Sequence, residues 1–172
     1  MLLPLLLSLF FCSLGEAFLQ HVGEIVSKET GQVSGLCPDH WIDATATGLG
    51  CLYFNSSEKV TWEEADDLCQ APENDASLIE IWSEVQLDFV KSKLRFLQDN
   101  GVDEDWWTGG TDLGSEGHWY WAESGAPVGD FIWDFLQPMF GDRNNCLGLG
   151  NGGFRGYDFK CGVSVYFICQ KK

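Results

Sequence analysis

The chain has 172 residues, of which 26 are acidic and 10 basic, and its formal net charge is −16 at pH 7. Such an acidic protein repels phosphate backbones, so the composition argues against nucleic acid as a partner. The length predicts a single globular domain. Three acidic clusters are interpreted as solvated faces rather than sites for divalent ions: Glu63-Glu64, Asp66-Asp67 and Asp103-Glu104-Asp105.

The N-terminal residues have the pattern of a secretory signal peptide. Residues 1–14 are almost unbroken apolar sequence, and Gly15-Glu16-Ala17 places small residues where signal peptidase reads them. A membrane anchor is the alternative, but a span needs about 20 apolar residues. We therefore predict a signal peptide at 1–17, a flexible N-terminal arm at 18–36 and a secreted domain at 37–172.

The cysteine count predicts a disulfide framework. Cys12 leaves with the signal peptide, and an even number then remains in an exported domain. A zinc site is the alternative, but the chain has no Cys-x-x-Cys motif and only three histidines, none of them paired at ligand spacing. Spacing alone does not choose a pairing among the remaining cysteines: Cys37, Cys51, Cys69, Cys146, Cys161 and Cys169.

Two helices are predicted in the first half of the domain. Thr61 and Glu64 form a capping box that opens a helix ending near Ala71, because Pro72 cannot continue it. Ser83 to Gln86 is a second box, and the helix behind it ends near Asn100-Gly101. The second helix carries apolar residues at the spacing of a buried stripe: Leu87, Val90, Leu94 and Leu97.

The strand signals surround these helices. Short aromatic or β-branched runs predict strands at 51–54, 106–108, 119–121, 146–149 and 165–168. One strand, two helices and then several strands indicate an α+β fold with antiparallel pairing. The Gly- and Asn-rich segment from Gln137 to Lys160 has little other strand signal, and a long irregular segment in a compact domain is usually functional.

Asn55-Ser56-Ser57 is the one glycosylation sequon of the chain. It follows the strand at 51–54 and precedes the helix that begins at Thr61. We therefore expect Asn55 to lie on a surface turn and to carry a glycan when the protein is secreted.

Taken in chain order, these features resemble the C-type lectin-like family. The resemblance covers residues 37–170 and implies a double-loop α+β fold with the pairs Cys37–Cys51, Cys69–Cys169 and Cys146–Cys161. It is carried by Cys37-Pro-x-x-Trp41, Cys51-Leu-Tyr53-Phe54, Thr61-Trp62-x-x-Ala65 with Cys69, Trp107-Thr-Gly-Gly-Thr-Asp112, Glu116-Gly-x-Trp119-x-Trp121, Trp133, Cys146, Asp158 with Cys161, and Phe167-Ile168-Cys169-Gln170.

The resemblance implies a calcium ion in the irregular segment that binds sugar hydroxyls directly. The matching positions, expected to bind ligand, are Gln137, Met139, Asn144, Tyr157 and Asp158. Gln137-Pro138-Met139 resembles the family's galactose-type Gln-Pro-Asp element, but a thioether and a phenol replace hard oxygen ligands at Met139 and Tyr157. With Gln137, Asn144 and Asp158 left as metal ligands, we expect weak calcium binding.

A second calcium position of the family is partly kept. It matches Asp112 and Glu116, and Glu116 either binds the ion or braces a turn. Its other positions hold no carboxylate: Phe140 and Asn145. Two residues nearby in sequence could compensate in a rearranged loop: Asp142 and Asn151.

The aromatic residues allow both packing and sugar stacking. Six tryptophans fall on motif positions that favour core packing: Trp41, Trp62, Trp107, Trp119, Trp121 and Trp133. For three aromatics of the presumed binding loop, surface contact and loop packing are equally compatible with the sequence: Phe140, Phe154 and Tyr157. The sequence pairs no histidine with a nucleophile, and the mature cysteines are expected to be oxidised, so we do not predict an enzyme.

Two functions are compatible with this sequence. The first is a secreted lectin of innate immunity, assisted by calcium and leaning towards galactose-type sugars, that recognises microbial or cell-surface glycans or glycoproteins. The second is a lectin-fold module that binds protein or another non-sugar ligand without calcium. Met139 and Tyr157 favour the second hypothesis. The sequence does not determine the oligomeric state, and fold alone does not settle function.

Overall fold

The computed structural model describes residues 37–139, 141 and 143–172. The predicted signal peptide, the N-terminal arm, Phe140 and Asp142 lie outside the described residues. Among the residues described, no helix combines the length and apolar character needed to cross a membrane. Residues 37–172 form one compact unit, and it contains the predicted lectin-like domain.

Both predicted helices are present. Helix α1 spans Trp62–Gln70 and helix α2 spans Glu84–Asp99. The capping box at Thr61 is complete, because the Thr61 hydroxyl accepts from the Glu64 N–H and Glu64 accepts from the Thr61 N–H. The second capping box is only half formed. Ser83 caps the Gln86 N–H as predicted, but the Gln86 side chain accepts from the Trp82 N–H at 2.7 Å and not from the Ser83 N–H. Gln86 also donates to the Thr47 carbonyl at 3.1 Å, so it ties the helix start to an earlier loop.

The strands form one mixed sheet within the described residues, in the order β1-β2-β8-β4-β6-β7. Strand β3 pairs with β8, and β5 pairs with β4. The expectation of antiparallel pairing is wrong at one place, where β4 and β8 run parallel. The strands are β1 Ile42–Asp43, β2 Cys51–Val60, β3 Ser77–Leu78, β4 Trp106–Thr111, β5 Tyr120–Trp121, β6 Cys146–Gly150, β7 Arg155–Phe159 and β8 Val165–Lys171.

Three strands were missed in the sequence, and β7 matters most for the site. Its residues alternate between buried and half-buried, but Gly156 and Asp158 are weak strand formers and mask the pattern. The strand forms because it pairs antiparallel with β6. A Cβ at Gly156 would lie 2.9 Å from the Leu147 side chain, so glycine permits this close approach.

The core has two clusters, one on each face of the sheet. Trp106 and Trp107 are adjacent in β4 and fully buried, and each belongs to a different cluster because neighbouring strand residues point to opposite faces. Leu87 of α2 packs in the Trp106 cluster, and Ala65 of α1 packs in the Trp107 cluster. The helices therefore cover opposite faces of the sheet. The core prediction is confirmed for Trp62, Trp107 and Trp121, whereas Trp41, Trp119 and Trp133 are half-buried and pack against the core.

All three disulfides that the family resemblance implies are present: Cys37–Cys51, Cys69–Cys169 and Cys146–Cys161. Cys69–Cys169 joins α1 to β8 across a sequence separation of 100. Cys146–Cys161 joins the beginning of β6 to the turn after β7, and so fixes the base of the Gly-rich segment.

Asn55 does not lie on a surface turn, and that expectation is wrong. It is 9% exposed, sits within β2 and is paired with Phe167 of β8. The strand continues through the sequon to Val60, which the polar residues after Phe54 did not indicate. The pairing with β8 extends β2 beyond its apolar part.

Glu80 is a fully buried carboxylate beside β3. Its two oxygens have separate partners: the Ser124 N–H donates to Oε1 at 2.9 Å, and Lys172 Nζ lies 2.7 Å from Oε2. The side chain of Lys172 is 56% exposed, so the pair joins the interior of the domain to its surface.

Replacing Lys172 with Met is expected to lower the free energy of unfolding by about 2 kcal/mol. Loss of one partner leaves a buried charge uncompensated, which typically costs about 3–5 kcal/mol, and water near the exposed Lys172 position reduces that figure. Urea denaturation measures the change. The control is Lys160→Met, which removes an exposed lysine and is expected to change stability by less than about 0.5 kcal/mol. Equal midpoints for the two variants would contradict the role of the pair.

Candidate functional site

The candidate site lies where β4 ends and β6 begins. Thr111 of β4 is paired with Cys146 of β6, so the residue after one strand and the residue before the other are neighbours. Accordingly, the Asp112 N–H donates to the Asn145 carbonyl at 3.2 Å. The antiparallel ladder thus brings two loops together that lie more than thirty positions apart in the sequence.

A small cavity of about 150 Å³ brings the two predicted calcium positions together. Asp112 and Glu116 of the second position line it, together with three residues of the first position: Met139, Asn144 and Asp158. The carboxylates that the sequence assigned to two separate places therefore face one cavity. Gln137 and Tyr157 are not part of its lining.

Hydrogen bonds within the segment hold Asp158 in place. Asp158 is a buried residue of β7, and its Oδ2 accepts from the Met139 N–H at 3.2 Å. Asn144 Nδ2 donates to the Asp158 carbonyl at 3.0 Å. The Met139 side chain is 50% exposed, so this residue contributes its backbone to the site and presents its thioether to solvent.

Tyr157 points away from the small cavity, because it precedes Asp158 in β7 and adjacent strand residues face opposite sides. Its hydroxyl donates to Asp134, and this bond raises the pKa of Tyr157. The same bond, followed by the Phe135 N–H, holds the pKa of Asp134 below its ordinary value. Tyr157 therefore fastens the loop at Asp134. Its predicted role at the ligand is not supported by this placement, and no sequence motif pointed to Asp134.

Three buried side-chain oxygens of this region have no hydrogen-bond donor in the described part of the chain: Asp112 Oδ1, Gln137 Oε1 and Asn145 Oδ1. Buried polar atoms are almost always paired, so each such oxygen requires an explanation. All three belong to residues that the family resemblance matches to calcium positions. They are hard ligands of the kind that calcium prefers, and in this respect the residues present fit a calcium ion.

The carboxylates are nevertheless spread out. Within the described ranges, no three His, Cys, Asp or Glu side chains converge as a metal-binding group. Asn151 cannot complete the site, because it follows the far end of β6. Five residues of extended strand place it about 17 Å from Cys146, which lies at the site. The Asn151 N–H instead donates to Asp105 at 2.8 Å. The suggestion that Asn151 compensates is therefore wrong, while Asp142 lies outside the described residues.

A larger cavity of about 840 Å³ adjoins the small one and shares Gly117, Trp119 and Pro138 with it. Gln137 lines this larger cavity. Trp119 and Trp133 also line it and form an edge-to-face pair with ring centroids 4.8 Å apart. The sequence assigned both tryptophans to the core, but they are half-buried and present ring surface to this cavity.

The lining of the larger cavity includes two exposed apolar side chains. Phe135 is 86% exposed and Leu136 is 67% exposed, and both line the cavity. The Asp134 N–H donates to the Gly156 carbonyl at 3.0 Å, and this hydrogen bond fixes the segment against β7. Phe154, for which surface contact and packing were equally compatible, is 1% exposed and packs in the core.

One histidine lies close to a hydroxyl, which the sequence did not indicate. Ser115 Oγ is 3.2 Å from His118 Nδ1, and the same nitrogen lies 3.2 Å from the Glu116 carbonyl. Both residues are exposed and belong to one turn, and within the described residues no carboxylate is bonded to the other side of the ring. A nucleophilic triad needs such an orienting group, so we interpret the contact as part of the turn.

Comparison with known proteins places this architecture in a class. The carbohydrate-recognition domain of mouse scavenger receptor C-type lectin is 32% identical, with a TM-score of 0.63, and the match covers 79% of this chain and 96% of that domain. A Ca²⁺-dependent type II antifreeze protein in its Ca²⁺-free form is 27% identical, with a TM-score of 0.64, over 79% of this chain and 100% of that one. The fold is the C-type lectin fold.

Sequence comparison gives the family. C-type lectin domain family 4 member M of Nomascus concolor is 28% identical over 138 residues, which cover 78% of this chain. The match takes in 31% of that protein, so this chain spans about a third of the relative. The family described as Lectin C-type domain matches residues 58–171. The chain belongs to the Lectin C-type domain family.

Proposed function

We propose that the domain is a secreted glycan-binding lectin that uses calcium weakly and leans towards galactose-type sugars on microbial or cell surfaces. The supporting observation is the pair of adjoining cavities, one rich in oxygen atoms and the other lined by tryptophan, which share Trp119 and Pro138. Lectin-like relatives and the solved carbohydrate-recognition domain support the same class of ligand.

The residues of the two cavities suit the two sides of a sugar ring. The apolar C–H face of a hexose packs against aromatic rings such as Trp119 and Trp133, which bury a large area at low entropic cost. Hydroxyl groups of the sugar meet acceptors at the oxygen-rich side, where Asp112, Glu116 and Asp158 line the small cavity. Sugar binding therefore requires both sides of the site.

The buried oxygens of Asp112, Asn145 and Gln137 have no donor in the described chain and would be available to calcium, with Asp112 at the small cavity and Gln137 at the larger one. When bound, the ion supplies positive charge to these oxygens and to sugar hydroxyls. An unpaired buried acceptor costs about 1–3 kcal/mol, so a cation against these atoms stabilises the loops. The small number of converging carboxylates keeps its affinity low.

A glycan array is the test of this proposal. We expect binding to galactose-type glycans in millimolar calcium and a large decrease in the presence of a chelator. Trp119→Ala is expected to weaken binding about tenfold, because it removes aromatic contact from the larger cavity. The control is Trp82→Ala, since Trp82 is 42% exposed and packs on Trp121 outside that cavity. An array with no bound glycan in either condition would refute the proposal.

Exposed apolar side chains beside the two cavities favour a second candidate function. Phe135, Leu136 and Met139 are each at least 50% exposed, and exposed apolar patches mark surfaces for protein or other apolar ligands. In that case the domain binds a non-sugar ligand without calcium, and the array stays empty. Phe135→Ser would then reduce ligand binding while leaving the calcium-binding isotherm unchanged.

A further inference from the structure

The sequon residue Asn55 lines a cavity of about 370 Å³ near the opposite edge of the sheet, formed by β2, β8, α1 and the segments 39–41 and 73–74. This cavity shares no lining residue with those of the candidate lectin site. Its walls include Trp41, Tyr53 and Phe167. It is therefore a separate feature that glycan recognition at the lectin site does not explain.

The amide of Asn55 is arranged in a definite way. Its Oδ1 accepts from the Ser57 N–H at 3.0 Å and from the Ser57 hydroxyl at 2.9 Å. No hydrogen bond from its Nδ2 is found within the described chain, and this nitrogen is not among the fully enclosed atoms without a partner, so it keeps some access to the space beside it. Because Asn55 lines the cavity, we conclude that the reactive nitrogen of the sequon faces this space.

The aromatic wall lies on the same side of the strand. Tyr53 and Asn55 are two residues apart in β2, and residues at that spacing share one face. Tyr53 packs against Trp41 with ring centroids 5.6 Å apart and planes inclined by 34°. Carboxylates of Asp39 and Glu73 also line the cavity. A sugar residue packs its apolar face against aromatic rings and donates hydrogen bonds from its hydroxyls to acceptors, and this cavity offers both.

We propose that Asn55 carries an N-linked glycan whose first N-acetylglucosamine is packed in this cavity against Trp41 and Tyr53. In the transfer, Nδ2 forms a bond to the anomeric carbon and loses one proton. The bond from that carbon to a lipid-linked pyrophosphate donor breaks, and the pyrophosphate departs. Since Asn55 is 9% exposed in the folded domain, transfer precedes folding, and the domain closes around the attached sugar.

The first experiment compares the protein with and without the sugar. Protein secreted from mammalian cells is trimmed by an endoglycosidase to one N-acetylglucosamine, and the bare chain is made in oxidising bacteria. Peptide mass spectrometry should find the sugar on Asn55. The Tm of the sugar-bearing protein should be about 3 °C higher, as expected for one aromatic contact in a domain of this size, and Trp41→Ala should remove that gain.

A second measurement does not depend on the folding of the Trp41 variant. Gly153→Ser creates a sequon at Asn151, which is exposed, and a side chain at Gly153 meets nothing within 4 Å. An amidase that cleaves N-glycans should release the Asn55 sugar at least about tenfold more slowly than the Asn151 sugar from native protein, because it acts on locally opened molecules. After denaturation the two rates should be equal.

Three results would overturn the proposal. They are an unmodified Asn55 in secreted protein, equal amidase rates at Asn55 and Asn151 in the native state, and the same gain in Tm for wild type and Trp41→Ala.

Discussion

Replacing Cys69 and Cys169 together with alanine is expected to lower the free energy of unfolding by about 4–5 kcal/mol. The pair closes the longest loop of the domain, with a sequence separation of 100, and the chain-entropy account of disulfides makes the loss grow with loop length. Since small domains are stable by about 5–15 kcal/mol, much of the molecule should be unfolded at 37 °C. Urea denaturation at 25 °C followed by tryptophan fluorescence measures the change.

A matched pair provides the control for loop length. Cys37 and Cys51 are separated by 14 residues, and their replacement with alanine should cost about 3 kcal/mol in the same account. Cys69 and Cys169 are also buried in the core cluster that contains Trp107. Their replacement therefore removes packing contacts in addition to the disulfide. If the short-loop variant proved the less stable of the two, unfolded-state entropy would not be the main contribution of these bonds.

The helices could be predicted because their signals are local. Thr61 and Glu64 are three residues apart, and the side chains that cap α1 bond to each other and to each other's backbone N–H. The stripe on α2 is likewise set by the helical repeat, and Leu87, Val90 and Leu94 are fully buried. The disulfide pairing has no local signal of this kind. It was predictable only because the order of motifs resembled a family.

The strand β7 and the environment of Asn55 could not be read from local sequence. Gly156 and Asp158 form a strand because they pair with Leu149 and Leu147 of β6, which lie seven and eleven residues earlier in the chain. Asn55 looked like a loop residue among serines, but pairing with Phe167 of β8 draws it into the sheet. In both cases tertiary pairing overrides weak strand propensity.

The candidate site was predictable in its residues but not in its grouping. Resemblance gave Asp112, Glu116, Asn144 and Asp158 as two calcium positions, and the end of β4 beside β6 makes them line one cavity. Tyr157 and Asp158 are adjacent in sequence and face opposite sides, which only a strand assignment for β7 would have shown. Asn145 was discounted for lacking a charge, yet its buried oxygen has no donor in the described chain.

The wild-type domain is expected to bind calcium weakly, with a Kd of about 0.1–1 mM or higher, the range of extracellular calcium modules. Three donorless oxygens favour a hard cation, at Asp112, Gln137 and Asn145, but the carboxylates do not converge among the described residues. Isothermal calorimetry measures the affinity. In addition, with a Kd of 1 mM, 10 mM calcium should raise the free energy of unfolding by about 1.4 kcal/mol.

Restoring oxygen ligands should tighten this binding. Met139→Asp adds a carboxylate to the lining of the small cavity, and we expect Kd to fall at least about tenfold because calcium affinity follows ligand charge. Combining it with Tyr157→Asn places an amide where the family has a ligand, but residue 157 faces away from this cavity, so we expect no further gain. Tyr157→Asn also removes the hydrogen bond to Asp134, so Met139→Asp is measured alone as well. Asn151→Ala is the control, since Asn151 lies beyond the far end of β6 and should leave Kd unchanged.

The outcomes of this experiment separate the two candidate functions. Micromolar binding by the wild type, abolished by Asp158→Ala, would show that the loop recruits further ligands and would strengthen the calcium-assisted lectin. An unchanged Kd in both Met139→Asp and the double variant would mean that position 139 does not approach the ion. The small cavity would then hold no sugar-binding calcium, and the exposed side chains of Phe135, Leu136 and Met139 would make a non-sugar ligand the better explanation of this surface.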